Sequence, residues 1–152
     1  MPKHSSFVDL PCTLESLRVY LGTPANLPTI SNPDMELEIL NAPAAVTRGE
    51  KIEFRISALG FKQRATHEYL VCEFDEIVES MTDGVLKRWV HRQKLEQLES
   101  GLCRLTDEIE FEPPGGMLGF VLTEDRIREN IADGMEHRYS TLRELIEEGV
   151  IQ

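Results

Sequence analysis

His91 and Asp107 are the two side chains of this sequence best suited to acid–base chemistry. An imidazole exchanges protons near neutral pH, and a carboxylate beside it orients the ring and raises its basicity. Residues 84–95 and 102–111 read as two long strands joined by a tight turn. On the second, Cys103, Leu105, Asp107, Ile109 and Phe111 share one face; Arg104, Thr106, Glu108 and Glu110 share the other. On the first, Trp89, His91, Gln93 and Leu95 oppose Arg88, Arg92, Lys94 and Glu96. With Glu99-Ser100-Gly101 as the turn, Leu98 pairs with Leu102. Asp107 then falls opposite Gln93 and diagonal to His91, within reach of a side-chain contact. Two chemistries fit. One is a general acid–base pair, with Tyr69 as a third catalytic candidate. The other is a polar network that satisfies itself and fixes strand register. A plain core has no need of Trp, His, Gln and Asp on its inner face, because burying them demands partners. A ligand cavity has a use for them.

Other chemistry finds little support. His4 is terminal, His67 lies on the inner side of a strand, and His137 lies on the last helix; none has metal-ligand spacing, so no metal is expected. Gly115-Gly116-x-x-Gly119 follows Pro-Pro and opens no helix directly, unlike a dinucleotide loop, and no cofactor is expected. Nucleophile signatures of serine and cysteine type are absent. Glu73, Asp75, Glu76 and Glu79 read as a solvated edge. The formal net charge of −11 excludes nucleic acid and anionic membrane surfaces as natural partners. With no long apolar run, stable membrane insertion is not expected. Cys12, Cys72 and Cys103 read as small buried hydrophobes in a reducing cytoplasm.

The elements that must position these residues are legible by periodicity. Ser6–Leu10 reads as a strand, and Thr13 caps a short helix ending near Gly22. Pro24 opens a second helical turn through Leu27 and Ile30, broken at Asn32-Pro33-Asp34. Strands follow over Met35–Leu40, Lys51–Ala58 and Arg64–Phe74, with Ile52, Phe54 and Ile56, then Ala65, His67 and Tyr69, facing inward. Glu76–Met81 is a fifth, weakly patterned strand. Thr123 caps a closing helix of about 25 residues, near 38 Å long. Its inner face carries Ile127, Ile131, Met135, Arg138, Leu142, Leu145 and Ile146. This is an α+β domain spanning 1–152, a seven-stranded antiparallel sheet curved around a long C-terminal helix, with two short helices after the first strand.

These residues resemble the START-like, Bet v 1-like helix-grip superfamily, also called the polyketide cyclase/dehydrase and lipid-transport family, over nearly the whole chain. Its bacterial branch shows an apolar strand, a capped helix and a Pro-x-Asn-Leu-Pro-like segment, here Leu10–Leu17 and Thr23–Ile30. Its strand with Trp-x-His appears as Trp89-Val-His-Arg-Gln-Lys-Leu95. The strand with Asp before a Pro-Gly loop appears as Leu105–Phe111 with Pro114, Gly115 and Gly119. The late helical arginine matches Arg138. Departures fall at Val85 and Leu86, at Leu95 and at Ala65, where relatives carry other turn residues or aromatics; they imply a roomier or differently shaped cavity.

The resemblance implies an apolar small molecule, such as a lipid, polyketide or quinone, held between sheet and helix. The expected wall comprises Phe54 and Ile56, His67 and Tyr69, Trp89, His91 and Gln93, Asp107 and Ile109 from the strands, with Ile127, Ile131 and Met135 from the helix. Met117 and Phe120, with Leu118, Val121 and Leu122, form an apolar run expected beside the cavity mouth. Alternatives are a cyclase or dehydratase using His91, Asp107 and Tyr69, and an interaction module with a closed cavity.

Overall fold

The computed structural model describes residues 1–58 and 60–152. Seven strands form one antiparallel sheet in the order β1-β7-β6-β5-β4-β3-β2. They are β1 (Lys3–Leu10), β2 (Glu38–Asn41), β3 (Lys51–Ala58), β4 (Phe61–Cys72), β5 (Glu76–Asp83), β6 (Arg88–Glu99) and β7 (Leu102–Glu112). Helices α1 (Leu14–Leu21), α2 (Leu118–Val121) and α3 (Glu124–Glu147) complete the chain with two 3-10 turns, Pro24–Asn26 and Pro33–Met35. This is the helix-grip architecture expected from the pattern.

Local chemistry sets the boundaries. Thr13 accepts a hydrogen bond from the Ser16 amide at 3.1 Å and starts α1; Thr123 accepts from Arg126 at 3.3 Å and starts α3. Glu124 and Asp125 sit where the helix dipole favours negative charge. At the other end Gly149 takes φ 79°, turning the chain so that the Val150 amide reaches the Leu145 carbonyl and Ile151 is buried.

Some boundaries differ from the periodicity. The strand expected from Met35 begins at Glu38, because Asn32 caps the Pro33–Met35 turn and Glu36 adopts φ 47°. Strand β4 ends at Cys72, and Phe74 projects into solvent. Val85 and Leu86 lie in the turn before β6. The β6–β7 register places Gln93 opposite Asp107 and His91 opposite Ile109, as the turn argument requires. Near the turn the pairing shifts between Gln97 and Glu99, so Leu102 faces Glu99 and not Leu98; the exposed Leu98 is the extra residue of a bulge.

Helix α3 crosses the sheet and divides its apolar contacts into two clusters. Its C-terminal half, through Leu142, joins Leu10, Leu17, Leu105 and Ile151 in a closed core. Its N-terminal half, through Ile127 and Ile131, meets Ile109, Phe111 and Leu122.

Candidate functional site

Between these clusters runs a belt of polar side chains. Asp107 is fully buried at the centre of β7. Its Oδ1 lies 2.7 Å from His91 Nε2 and 3.2 Å from Arg138 Nη2. Its Oδ2 accepts from Arg138 Nε at 3.2 Å and from the Tyr139 hydroxyl at 2.9 Å. Tyr139 meets Ser6 Oγ at 2.8 Å, and Arg138 Nη2 donates to Gln93 Oε1 at 2.6 Å. On the far side of His91, Nδ1 lies 3.6 Å from Glu79 Oε1, while Glu79 Oε2 lies 3.3 Å from His67 Nδ1. The belt therefore joins β1, β4, β5, β6, β7 and α3.

The charges are arranged to compensate. Burial works against ionising Asp107, but the Arg138 guanidinium and the hydrogen bond from His91 overcome it and hold the carboxyl down at about 2. Burial likewise opposes ionisation of Glu79, yet the hydrogen bond from His67 and the nearby His91 ring hold it well below the usual carboxylate range. Burial tends to depress His91, and its bonds to Asp107 and Glu79 outweigh that and raise it. Burial and the Asp107 charge push the Tyr139 phenol up, so it stays a donor to the carboxylate. Two carboxylates thus face Arg138 and His91, and they favour the charged form of the imidazole.

A cavity of about 200 Å³ opens on one side of this belt. Of the expected wall, Phe54, Ile56, His67, Trp89, His91, Ile109, Ile127, Ile131 and Met135 line it. Tyr69 and Gln93 instead border a smaller pocket of about 40 Å³, beneath α1 and the Pro24–Asn26 turn. Asp107 reaches neither space, because His91, Arg138 and Tyr139 enclose its carboxylate. Met117 and Phe120 also lie off the wall. They are 87% and 85% exposed on the short α2, and only Leu122 of that run turns inward, into the cluster under α3. Met35 and Leu37, Val85 and Leu86, and Asn130 and Gly134 of α3 complete the lining. Of the departures from the family pattern, Ala65, Val85 and Leu86 do face the cavity, whereas Leu95 packs in the closed core.

Glu79 does not belong to the solvated edge that the sequence suggests; its side chain is only 13% exposed and points inward with Ile77 and Met81. Ile77 and Val78 are adjacent and both buried, which masks that alternation in the sequence. Arg138 carried a legible signal, since a cation on the apolar stripe between Ile131 and Leu142 needs a buried carboxylate. Tyr139 carried none, because it lies beside that stripe.

Chemically, His91 has Nε2 on Asp107 and Nδ1 facing Glu79, so it can exchange a proton with a ligand only by giving up one of these carboxylates. Among the described residues no cluster of three or more His, Cys, Asp or Glu is arranged to hold a metal, and no helix is long and apolar enough to cross a membrane.

No family model matches the chain, and no curated protein matches it in sequence. Solved structures do. A START superfamily protein from Mycobacterium smegmatis superposes with a TM-score of 0.74 at 13% identity, covering 96% of this chain and 97% of its own. A protein from Arthrobacter aurescens gives 0.72 at 18% identity, with 93% and 86% covered. The major latex-like protein 151 of Panax ginseng gives 0.69 at 14% identity, with 93% and 95% covered. At these identities the likeness is one of fold, and the chain has the helix-grip fold of START-like and Bet v 1-like proteins.

Proposed function

We propose that this protein binds an apolar small molecule of the lipid, polyketide or quinone kind in the cavity between sheet and α3. The observation that carries the reading is the open volume itself, walled by Phe54, Ile56, Trp89, Ile109, Ile127 and Ile131 and ending at the polar belt. An apolar cavity of about 150 Å³ is enough to hold benzene, so about 200 Å³ suits a compact ring system or a short acyl chain. A protein-interaction module with a filled interior would lack this space. We assign His91 and Asp107 a structural role, supported by the saturation of His91 and the enclosure of Asp107. Three free cysteines fit a reducing cytoplasm.

Gly134 supplies the test. It lines the cavity in the middle of α3, and a Cβ built there meets nothing within 4 Å. Gly134→Phe should fold at least as well as the parent, since glycine is a poor helix residue. It should fill the cavity and abolish enhancement of 1-anilinonaphthalene-8-sulfonate fluorescence seen with the parent. Equal dye binding by parent and variant, or no binding by the parent, overturns the reading.

A further inference from the structure

The polar end of the cavity carries a side chain that the belt leaves half used. His67 is buried, with its ring edge-on to Phe54 at 4.9 Å between centroids, and lies on the cavity wall. Its Nδ1 faces Glu79 Oε2 at 3.3 Å. A carboxylate only accepts, so Nδ1 must be the nitrogen that carries the proton. In the neutral ring Nε2 is then a bare acceptor. It has no hydrogen bond among the described residues, and the only polar side-chain atom sealed there without a partner is His4 Nε2. Nε2 of His67 therefore keeps access to open volume, and the adjoining open volume is the cavity.

The carboxylates of Glu79 and Asp107 are already matched by Arg138 and by a His91 held between them. The other polar groups on the wall are less committed to one role. Gln63 spends its amide on the Ala58 carbonyl, Asn130 and Asn32 can each donate or accept, and Arg138 is a donor. A group that both donates and accepts satisfies His67 while remaining compatible with its neighbours. A hydroxyl does so; an ether, a ketone or a carboxylate cannot donate.

Resting on the ligand-binding reading, we infer that the cavity selects apolar molecules bearing a hydroxyl, phenolic or alcoholic, whose proton is donated to His67 Nε2. An O-methylated analogue places a methyl group against a bare acceptor. A site built to receive a donor rejects the molecule that lacks it, since the site's polar atom is left unpaired.

The test compares 4-propylphenol with 4-propylanisole, each titrated by calorimetry against the intact protein at about pH 8, above the ordinary imidazole range. The phenol should bind about tenfold more tightly, the worth of one buried hydrogen bond. His67→Phe keeps an aromatic ring beside Phe54 and removes the acceptor, so the preference should vanish while anisole affinity holds. Equal affinities for the two probes in the parent protein overturn this inference and leave the ligand-binding reading standing. Binding of neither overturns both. A preference that survives in His67→Phe assigns the acceptor to another wall residue and overturns the role of His67. Should that variant fail to fold, the comparison in the parent protein still decides.

Discussion

The two ends of the space under α3 are built from the same sheet and the same helix, yet one is solid and the other hollow. At the solid end Leu142 and its neighbours meet Leu10, Leu105 and Leu95, and α1 presses Leu17 and Leu21 into the gap. Ile151 closes it, turned back by Gly149. At the hollow end the helix offers Gly134 and Met135, the sheet offers Ala58 and Ala65, and Leu27, Ile30, Met35 and Leu37 border the space without filling it. Small residues and an unfilled gap, not a change in hydrophobicity, separate core from cavity. The polar belt of Glu79, His91, Asp107 and Arg138 stands at the boundary. It lets the hollow end exist, because it holds β5, β6, β7 and α3 together where apolar packing stops.

Breaking the belt should have the largest effect. Asp107→Ala leaves Arg138 as an unpaired buried charge and strands His91 and Tyr139. A cost of about 3–5 kcal/mol follows, more than the loss of a neutral hydrogen bond alone. Asp107→Asn keeps shape and some bonds and should cost less. Urea melts of the two variants check the order; melting unchanged in both would show the belt to be expendable for folding and favour a catalytic pair.

Next comes the apolar face of the hollow end. Ile131 is buried against Ile109 and Ile127. Ile131→Asp should cost several kcal/mol, whereas Glu129→Ala, one exposed turn away, should change stability by less than about 0.5 kcal/mol. Similar losses in both would mean that the hollow end tolerates charge as a surface does.

The smallest and most graded effect is that of pH on the belt. Glu79 and Asp107 are depressed in the folded chain, so their contribution is whole above the ordinary carboxylate range and drains away as pH falls through their folded values. His91 is raised, so its contribution is whole below about 6.5 and is lost as pH rises through its folded value. Stability should therefore peak between about pH 4.5 and 6.5 and decline on the alkaline side, and His91→Gln should flatten that decline. Thermal melts from about pH 4 to 9 read it directly; stability climbing from pH 6.5 to 9 would contradict an upward shift of His91.

How much was legible follows from which interactions are local. Strand alternation, the threonine caps and the stripe on α3 depend on neighbours within a few residues, so β3, β6, β7, α1 and α3 could be read from spacing. The face shared by His91, Gln93 and Asp107 followed from period two and one turn, and the register agrees. The site's remainder could not be so read. Glu79 turns inward on a strand whose adjacent Ile77 and Val78 are both buried, Met117 and Phe120 point outward although their composition suggests burial, and Tyr139 reaches Asp107 across 32 residues.

The amino-acid sequence by itself determined the order of elements, the inner faces of the strands and the presence of polar groups on them, because these depend on side-chain period and local capping. Only the tertiary structure decided which polar groups meet, that Arg138 and not a ligand answers Asp107, and that volume is left open beside His67. Those outcomes depend on the curvature of the sheet and the placement of α1 and α3 over it, which set distances between residues that no local pattern connects.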